Sequence, residues 1–156
     1  MSEQAEPATE TGVAVQLDEI DAATPLVGII MGSKSDMDVM EGAAKVLRDA
    51  GVQHEIRVMS AHREPGIVAE YCQNARLRGL RAIIAGAGLS AALPGVAAAH
   101  TDLPVIGVPL SSRLSAMGGL DAILSVLQMP PGVPVAGVGL DNAKNAGHLA
   151  LRMLRA

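Results

Sequence analysis

The stretch LVGIIMGSKSD, residues 26–36, decides the fold of this chain. Its first six residues form an uninterrupted apolar run, which is typical of a parallel β-strand covered on both faces. A polar loop follows at 32–36, and apolar residues then recur at helical spacing from Met37 to Leu47, with Gly51 as a candidate helix C-cap. The stretch therefore predicts a strand, a loop and a helix, which is the repeating unit of an α/β fold.

The same unit recurs along the rest of the chain. The predicted strands are 26–31, 55–59, 81–85, 104–108 and 133–140. The helices predicted after the first one are 65–77, which begins at Pro65, then 91–99, 120–127 and 142–155. Successive β-α units with right-handed crossovers build a parallel, doubly wound sheet. We therefore predict an α/β protein, a three-layer αβα sandwich around a five-stranded parallel sheet.

The composition indicates one domain. A chain of 156 residues is long enough for one compact core and too short for two. Residues 1–22 are polar and acidic without periodicity, which predicts a disordered tail before a single domain at 23–156. With 49% hydrophobic and only 18% charged residues, we expect apolar surface to be buried against other copies of the chain.

Charge and cysteine content exclude several classes of partner. The net charge is −4 and no Lys/Arg cluster occurs, so we expect no nucleic acid partner. No apolar run approaches the length of a membrane span without a glycine or a charge, which argues against a membrane partner. Cys72 is the only cysteine, so no intrachain disulfide or cysteine-based zinc site can form. We predict a cytoplasmic protein.

Ligands of doubly wound sheets bind at the carboxyl ends of the strands, which here are followed by loops 32–36, 60–64 and 86–90. In the first loop, backbone N–H groups, the Ser33 and Ser35 hydroxyls and the helix dipole can converge on a phosphate. The loop is neither a P-loop nor a dinucleotide fingerprint. We assign Asp36 to sugar hydroxyls; the alternative is that Ser35 or Asp36 merely caps the helix.

The second loop places His62 beside Arg63. An imidazole titrates near neutral pH and a guanidinium binds phosphate or carboxylate bidentately, so His62 is the candidate acid/base residue. The alternative is a solvated turn histidine beside a surface arginine. The other histidines, His54, His100 and His148, are interpreted as structural or exposed. No metal site is predicted.

The third loop, within GAGLSAALPG at 86–95, is rich in glycine and lets the backbone approach a ligand closely. The alternative is a tight turn with close helix packing. Two further polar clusters, 111–113 and 142–145, follow the fourth and fifth strands. Either one can contact a substrate or a neighbouring subunit. Cys72 is interpreted as a packing residue, because no partner base is evident.

Taken together, these strings form a recognisable set: GSKSD (32–36), SAHR (60–63), AGAG (85–88), LPG (93–95), PVIGVP (104–109), GLD (119–121), QMP (128–130) and NAKNAG (142–147). In this combination and order the sequence resembles the bacterial N5-carboxyaminoimidazole ribonucleotide mutases of purine biosynthesis. The similarity runs from about Leu26 to Leu154.

The resemblance implies a flavodoxin-like fold and a homo-octamer whose active sites are completed by neighbouring subunits. It implies a reaction without cofactor or metal, in which a carboxylate moves from the exocyclic nitrogen to C4 of an aminoimidazole ribonucleotide. The family's acid/base histidine matches His62. The candidate substrate-binding residues are Ser33, Ser35, Asp36, Ser60, Ala61, Arg63, Gly86, Gly88, Ser90 and Leu93.

One departure from the family pattern leaves alternatives open. Ala92 stands where the mutases carry a pocket histidine, and Ser90 leans toward the related carboxylases. The first alternative is therefore an aminoimidazole ribonucleotide carboxylase that uses free CO2. The second is a paralogue that binds the nucleotide without catalysis.

Overall fold

The computed structural model describes residues 24–156, so the tail predicted for 1–22 lies outside the described residues. Five strands are formed in this described part of the chain: β1 (Val27–Met31), β2 (His54–Val58), β3 (Ala82–Gly88), β4 (Val105–Leu110) and β5 (Ala136–Gly137). Five α-helices alternate with them: α1 (Met37–Asp49), α2 (Pro65–Asn74), α3 (Leu93–Ala99), α4 (Leu120–Leu127) and α5 (Ala143–Arg155). Two 3-10 turns, Lys34–Asp36 and Ala116–Gly119, precede α1 and α4.

The sheet is entirely parallel and has the order β2-β1-β3-β4-β5. This is the flavodoxin-like order, in which the chain direction across the sheet reverses between β1 and β3. Ile29 of β1 lies opposite Ile56 of β2 on one side and Ile84 of β3 on the other. The predicted α/β fold is confirmed.

Helices cover both faces of the sheet, which gives the three layers. One core contains residues of α1 and α5, and the other contains residues of α2, α3 and α4. All five residues of β1 are buried, as its continuous apolar run predicts. In a chain without Phe or Trp, the buried residues of these cores are Ile, Leu, Val, Met and Ala, together with Cys72.

Small residues allow close contacts between layers. A Cβ atom added at Gly147 of α5 would lie 2.9 Å from Val46 Cβ and 3.0 Å from the Ala43 carbonyl oxygen of α1. These distances are too short for a methyl group without movement of the helices. Gly147 therefore sets the separation of α1 and α5.

Most predicted boundaries lie within two residues of the observed ones, and three elements differ by three residues at one or both ends. The strand predicted at 133–140 pairs only at Ala136–Gly137, since it is an edge strand with β4 as its one neighbour and Pro134 lacks an N–H. Helix α2 ends at Asn74 rather than 77, in a turn that closes at Gly79 with φ 93°. Strand β3 continues to Gly88, because β4 pairs with it as far as Leu110.

Candidate active site

A cavity of about 720 Å³ lies at the carboxyl ends of β1, β2, β3 and β4. This is the position at which doubly wound sheets bind their ligands. Its lining contains ten of the eleven candidate site residues, all except Gly86: Ser33, Ser35, Asp36, Ser60, Ala61, His62, Arg63, Gly88, Ser90 and Leu93. The fold therefore brings three loops that are distant in sequence to one cavity.

The loop after β1 is organised by Ser33, whose Oγ accepts hydrogen bonds from the Ser35 N–H at 3.3 Å and from Ser35 Oγ at 2.9 Å. Ser33 is thus the N-cap of the 3-10 turn Lys34–Asp36, whereas the alternative considered from the sequence was a cap by Ser35 or Asp36. Asp36 makes no side-chain cap bond. Its carboxylate remains available to the cavity.

Burial raises the pKa of Asp36 above its usual 3.8, and a backbone hydrogen bond with Ser33 partly offsets that effect. The side chain is half-buried at the cavity wall. A partly desolvated carboxylate gains from hydroxyl donors, and it would repel a phosphate placed against it. This position suits the sugar rather than the phosphate of a nucleotide.

The loop after β2 is a compact turn around Ser60, which is only 9% exposed. Ser60 Oγ accepts from the Arg63 N–H at 3.2 Å, and the Ser60 carbonyl accepts from the Glu64 N–H at 2.8 Å. Arg63 Nη2 reaches across to donate to the Gly32 carbonyl oxygen at 3.0 Å. These bonds join the first two loops.

His62 stands at the exposed corner of that turn and lines the cavity. Its ring nitrogens make no hydrogen bond within residues 24–156. The imidazole is therefore free to exchange a proton with a ligand in the cavity. The other three histidines lie elsewhere: His54 begins β2, His100 ends α3 and His148 lies within α5.

The third wall of the cavity is the end of β3. A Cβ added at Gly88 would lie 2.9 Å from the Leu110 carbonyl oxygen of β4, so only glycine fits there without a shift. Gly86 lies within β3 instead of a loop, and a Cβ there would collide with the Met40 side chain of α1. The structure therefore places Gly86 in strand and helix packing, outside the cavity lining.

The loop after β4 supplies a fourth wall that was not among the candidate site residues. Leu110, Ser111, Ser112 and Leu114 line the cavity, and so does Leu89, whose φ is 55°. The serine pair was visible in the sequence as a polar cluster. The leucines carried no local signal, because an apolar side chain beside a ligand cannot be distinguished by pattern from one in the core.

The remaining sequence features lie away from the cavity. Asn142 Oδ1 caps α5 by accepting from the Asn145 N–H at 3.1 Å. Cys72 is buried, and desolvation raises the pKa of its thiol to about 11. Within residues 24–156 no three His, Cys, Asp or Glu side chains are grouped as metal ligands. No helix in that part of the chain is long and apolar enough to cross a membrane.

Comparison with known proteins gives close relatives. The N5-carboxyaminoimidazole ribonucleotide mutase of Pyrococcus abyssi is 57% identical over 135 residues, which are 86% of this chain and 76% of that protein. The mutase of Aquifex aeolicus is 55% identical over 83% of this chain and 77% of its own length. A chloroplastic phosphoribosylaminoimidazole carboxylase from Vigna aconitifolia is 52% identical over 88% of this chain but only 24% of its own length.

A solved structure has the same fold. The crystal structure of PurE from Treponema denticola aligns with a TM-score of 0.73 and 35% identity, over 84% of this chain and 80% of that one. The family model described as AIR carboxylase matches residues 26–156, which include every strand, helix and cavity-lining residue described above. The chain belongs to the AIR carboxylase family.

Proposed function

We propose that this protein is an N5-carboxyaminoimidazole ribonucleotide mutase of purine biosynthesis. It moves a carboxylate from the exocyclic nitrogen to ring carbon C4 of the aminoimidazole ribonucleotide. Two observations together support this function. The structure has a cavity lined by His62 that is large enough for a nucleotide, and relatives named for this reaction are 57% and 58% identical to the chain.

The first two loops bind the phosphoribosyl end of the substrate. Phosphate lies against the hydroxyls of Ser33 and Ser35 and the guanidinium of Arg63, where it meets hydrogen-bond donors and a positive charge. Asp36 accepts hydrogen bonds from the ribose hydroxyls, which a half-buried carboxylate favours. These contacts place the imidazole ring over the end of β3.

His62 performs the proton transfers. As an imidazolium it donates a proton to the exocyclic nitrogen, the bond from nitrogen to the carboxyl carbon breaks, and CO2 leaves the neutral amine. Carbon C4 then attacks CO2, and the neutral imidazole removes the C4 proton, which restores the aromatic ring and the imidazolium. One histidine therefore closes the cycle without net consumption of a proton.

The end of β3 retains CO2 between the two steps. Gly88, Ser90, Ala92 and Leu93 line the cavity there with small or apolar groups. A molecule of CO2 held against the ring reacts without a bimolecular encounter, which accounts for rate acceleration by proximity. Ala92 supplies no proton-transfer group, so His62 carries the acid/base chemistry alone.

The mutase is favoured over a carboxylase that uses free CO2. Relatives named as mutases are 57% and 55% identical to this chain and match over about three quarters of their own length. The Vigna relative named as a carboxylase is 52% identical and is a much longer protein, of which this chain covers 24%. We also propose a cytoplasmic location, since Cys72 is a free buried thiol and free thiols persist in reducing compartments.

We further propose that the protein works as a homo-octamer. Apolar side chains are exposed along the segment 114–127 beside the cavity, among them Leu114 at 69%, Met117 at 83% and Leu124 at 46%. Burial of such a surface between copies is favourable in water. Sedimentation equilibrium is expected to give the mass of eight chains, and Leu124→Asp is expected to give smaller species; a monomeric wild type would contradict the assembly.

Absorbance-monitored turnover tests the function. Purified protein is given N5-carboxyaminoimidazole ribonucleotide or, separately, aminoimidazole ribonucleotide with excess bicarbonate. The expected result is conversion of the first substrate without added bicarbonate. His62→Asn is expected to lose turnover by at least about a hundredfold, whereas His148→Asn, an exposed change in α5, is expected to retain it.

The remaining outcomes are equally informative. Conversion of the second substrate only would establish the carboxylase. Binding of the nucleotide without turnover of either substrate would establish a non-catalytic paralogue. Full activity of His62→Asn would overturn the role of the imidazole.

A further inference from the structure

Beyond β5, the chain continues to hydrogen-bond to β4, first through backbone groups and then through a side chain. The Val138 N–H donates to the Gly107 carbonyl at 3.1 Å, and the Asp141 N–H donates to the Pro109 carbonyl at 2.8 Å. Pro109 has no N–H, so it cannot donate a backbone hydrogen bond to the segment after β5. The backbone ladder therefore stops just before the fourth cavity loop begins.

The carboxylate of Asp141 continues the connection where the backbone cannot. Oδ1 accepts from the Ser111 N–H at 2.8 Å, and Oδ2 accepts from Ser111 Oγ. Asp141 holds this position with φ 55°, in the left-handed region that non-glycine residues rarely adopt and that Asp tolerates better than most. Because Asp141 is held in a rare backbone conformation and both of its carboxylate oxygens bind Ser111, it fixes the position of Ser111.

This arrangement determines what Ser111 offers to the cavity. The single proton of its hydroxyl is directed to Asp141, so only lone pairs remain for a ligand. The next residue is also held: Ser112 N–H donates to Ser115 Oγ at 2.8 Å, and Ser112 Oγ accepts from the Leu114 N–H at 3.2 Å. Ser111 is thus a fixed hydrogen-bond acceptor on the cavity wall.

The sheet order places this acceptor opposite the phosphate end. In the order β2-β1-β3-β4, the phosphate-binding loops follow β2 and β1, and Ser111 follows β4. Since neighbouring strands are about 4.8 Å apart, β4 lies about 10 Å from β1. A nucleotide anchored by its phosphate at β1 and β2 extends its ring toward β3 and β4, and that ring carries N–H donors on its exocyclic nitrogen.

We propose that Ser111 Oγ accepts a hydrogen bond from the exocyclic N–H of the aminoimidazole ring, and that Asp141 is the positioning residue that keeps this hydroxyl an acceptor. The proposal rests on the mutase function proposed above. It makes the loop after β4 the element that recognises the amine and orients the nitrogen from which the carboxylate departs.

Isothermal titration calorimetry with two ligands tests the proposal. One ligand is aminoimidazole ribonucleotide, and the other is the imidazole ribonucleotide that lacks the amine. Ser111→Ala is expected to weaken binding of the first about fivefold, the usual effect of one hydrogen bond, and to leave binding of the second unchanged. Asp141→Asn is expected to behave alike, because an amide can donate to Ser111 Oγ and reverse the direction of the bond.

Controls separate positioning from folding. The double variant Ser111→Ala with Asp141→Asn is expected to bind like Ser111→Ala alone, since Asp141 acts through that hydroxyl. Ser111→Thr keeps a hydroxyl and is expected to retain discrimination between the ligands. Asp102→Asn removes an exposed carboxylate at the opposite end of the sheet and is expected to change neither affinity.

Two results would overturn the inference in distinguishable ways. If wild type binds aminoimidazole ribonucleotide but Ser111→Ala weakens both ligands equally, or neither, the amine contact is refuted and the mutase function stands. If wild type binds neither ligand, the proposed function fails and the contact fails with it.

Discussion

Arg63 donates a hydrogen bond from Nη2 to the carbonyl oxygen of Gly32 at 3.0 Å, and this bond ties the loop after β2 to the loop after β1. It uses one of the five N–H donors of the guanidinium, so the others remain available to a phosphate. The same side chain therefore joins the two loops and supplies donors to the phosphate subsite that we propose between them.

Arg63→Lys tests whether the positive charge of Arg63 is sufficient or whether its planar guanidinium is required. Lysine keeps the positive charge but cannot hold Gly32 and a phosphate with one planar fork. We expect the KM for the carboxyamino substrate to rise about tenfold with kcat within about threefold of wild type. Arg81→Lys, an exposed change at the residue before β3, is the matched control. A fall in kcat at unchanged KM would assign Arg63 to the chemical step instead.

Gly147→Ala tests the contact between α1 and α5. Alanine gains about 1 kcal/mol in helix propensity over glycine. The added methyl group would press on Val46 and on the Ala43 carbonyl at about 3 Å, and overpacking of this kind costs about 1–3 kcal/mol. We expect a net loss of about 1 kcal/mol in the free energy of unfolding, measured by urea denaturation.

Gly66→Ala is the matched control for that change. Gly66 lies in the first turn of α2, and a Cβ there meets nothing within 4 Å. The substitution is expected to leave stability unchanged or raise it by up to about 1 kcal/mol. If Gly147→Ala also stabilised the protein, α1 and α5 could move apart to accept the methyl group at little cost.

Glu55 predicts a pH dependence of stability. Burial by itself would raise the pKa of Glu55, but hydrogen bonds from Arg78 and Tyr71 and the charges of Arg78 and Arg57 lower it overall from its usual 4.5. A carboxyl with a depressed pKa stabilises the fold above its unfolded pKa, and the contribution is lost as pH falls through the folded pKa. Stability linked to Glu55 is therefore lost below about pH 4.5.

Glu55→Gln is expected to lower the free energy of unfolding by about 1–2 kcal/mol near neutral pH, since bonds to a charged group are broken. The difference from wild type is expected to shrink in acid. Glu41→Gln, which removes an exposed partner of Arg48, is expected to change stability much less at any pH. A difference that persists unchanged below pH 4 would contradict the ionic contribution.

Cys72 is expected to be inert in the native protein. Desolvation raises the pKa of its thiol from 9.0 to about 11, which lowers the thiolate fraction about a hundredfold below pH 9, and the side chain is 1% exposed. Alkylation followed by mass spectrometry is expected to be slow in buffer and fast in denaturant. Equal rates in both would show that α2 opens readily from the sheet.

Some of the candidate site follows directly from local pattern. Ser33, Asp36, His62 and Arg63 come immediately after predicted strands, and the carboxyl ends of parallel strands meet at one edge of the sheet. Their hydroxyl, carboxylate, imidazole and guanidinium groups also indicate possible ligand contacts without knowledge of their neighbours. Gly86 shows the limit of such reasoning, because a glycine near a strand end serves packing and ligand approach equally well until its neighbours are known.

The sequence by itself determined the α/β class, the succession of strands and helices, and the loops that gather at the cavity, because apolar periodicity encodes which faces are buried. Only the tertiary structure decided how far β3 and β5 extend and that Asp141 meets Ser111 thirty positions away. Those features depend on backbone and side-chain groups whose partners are brought together by the sheet, and no local pattern records such distances.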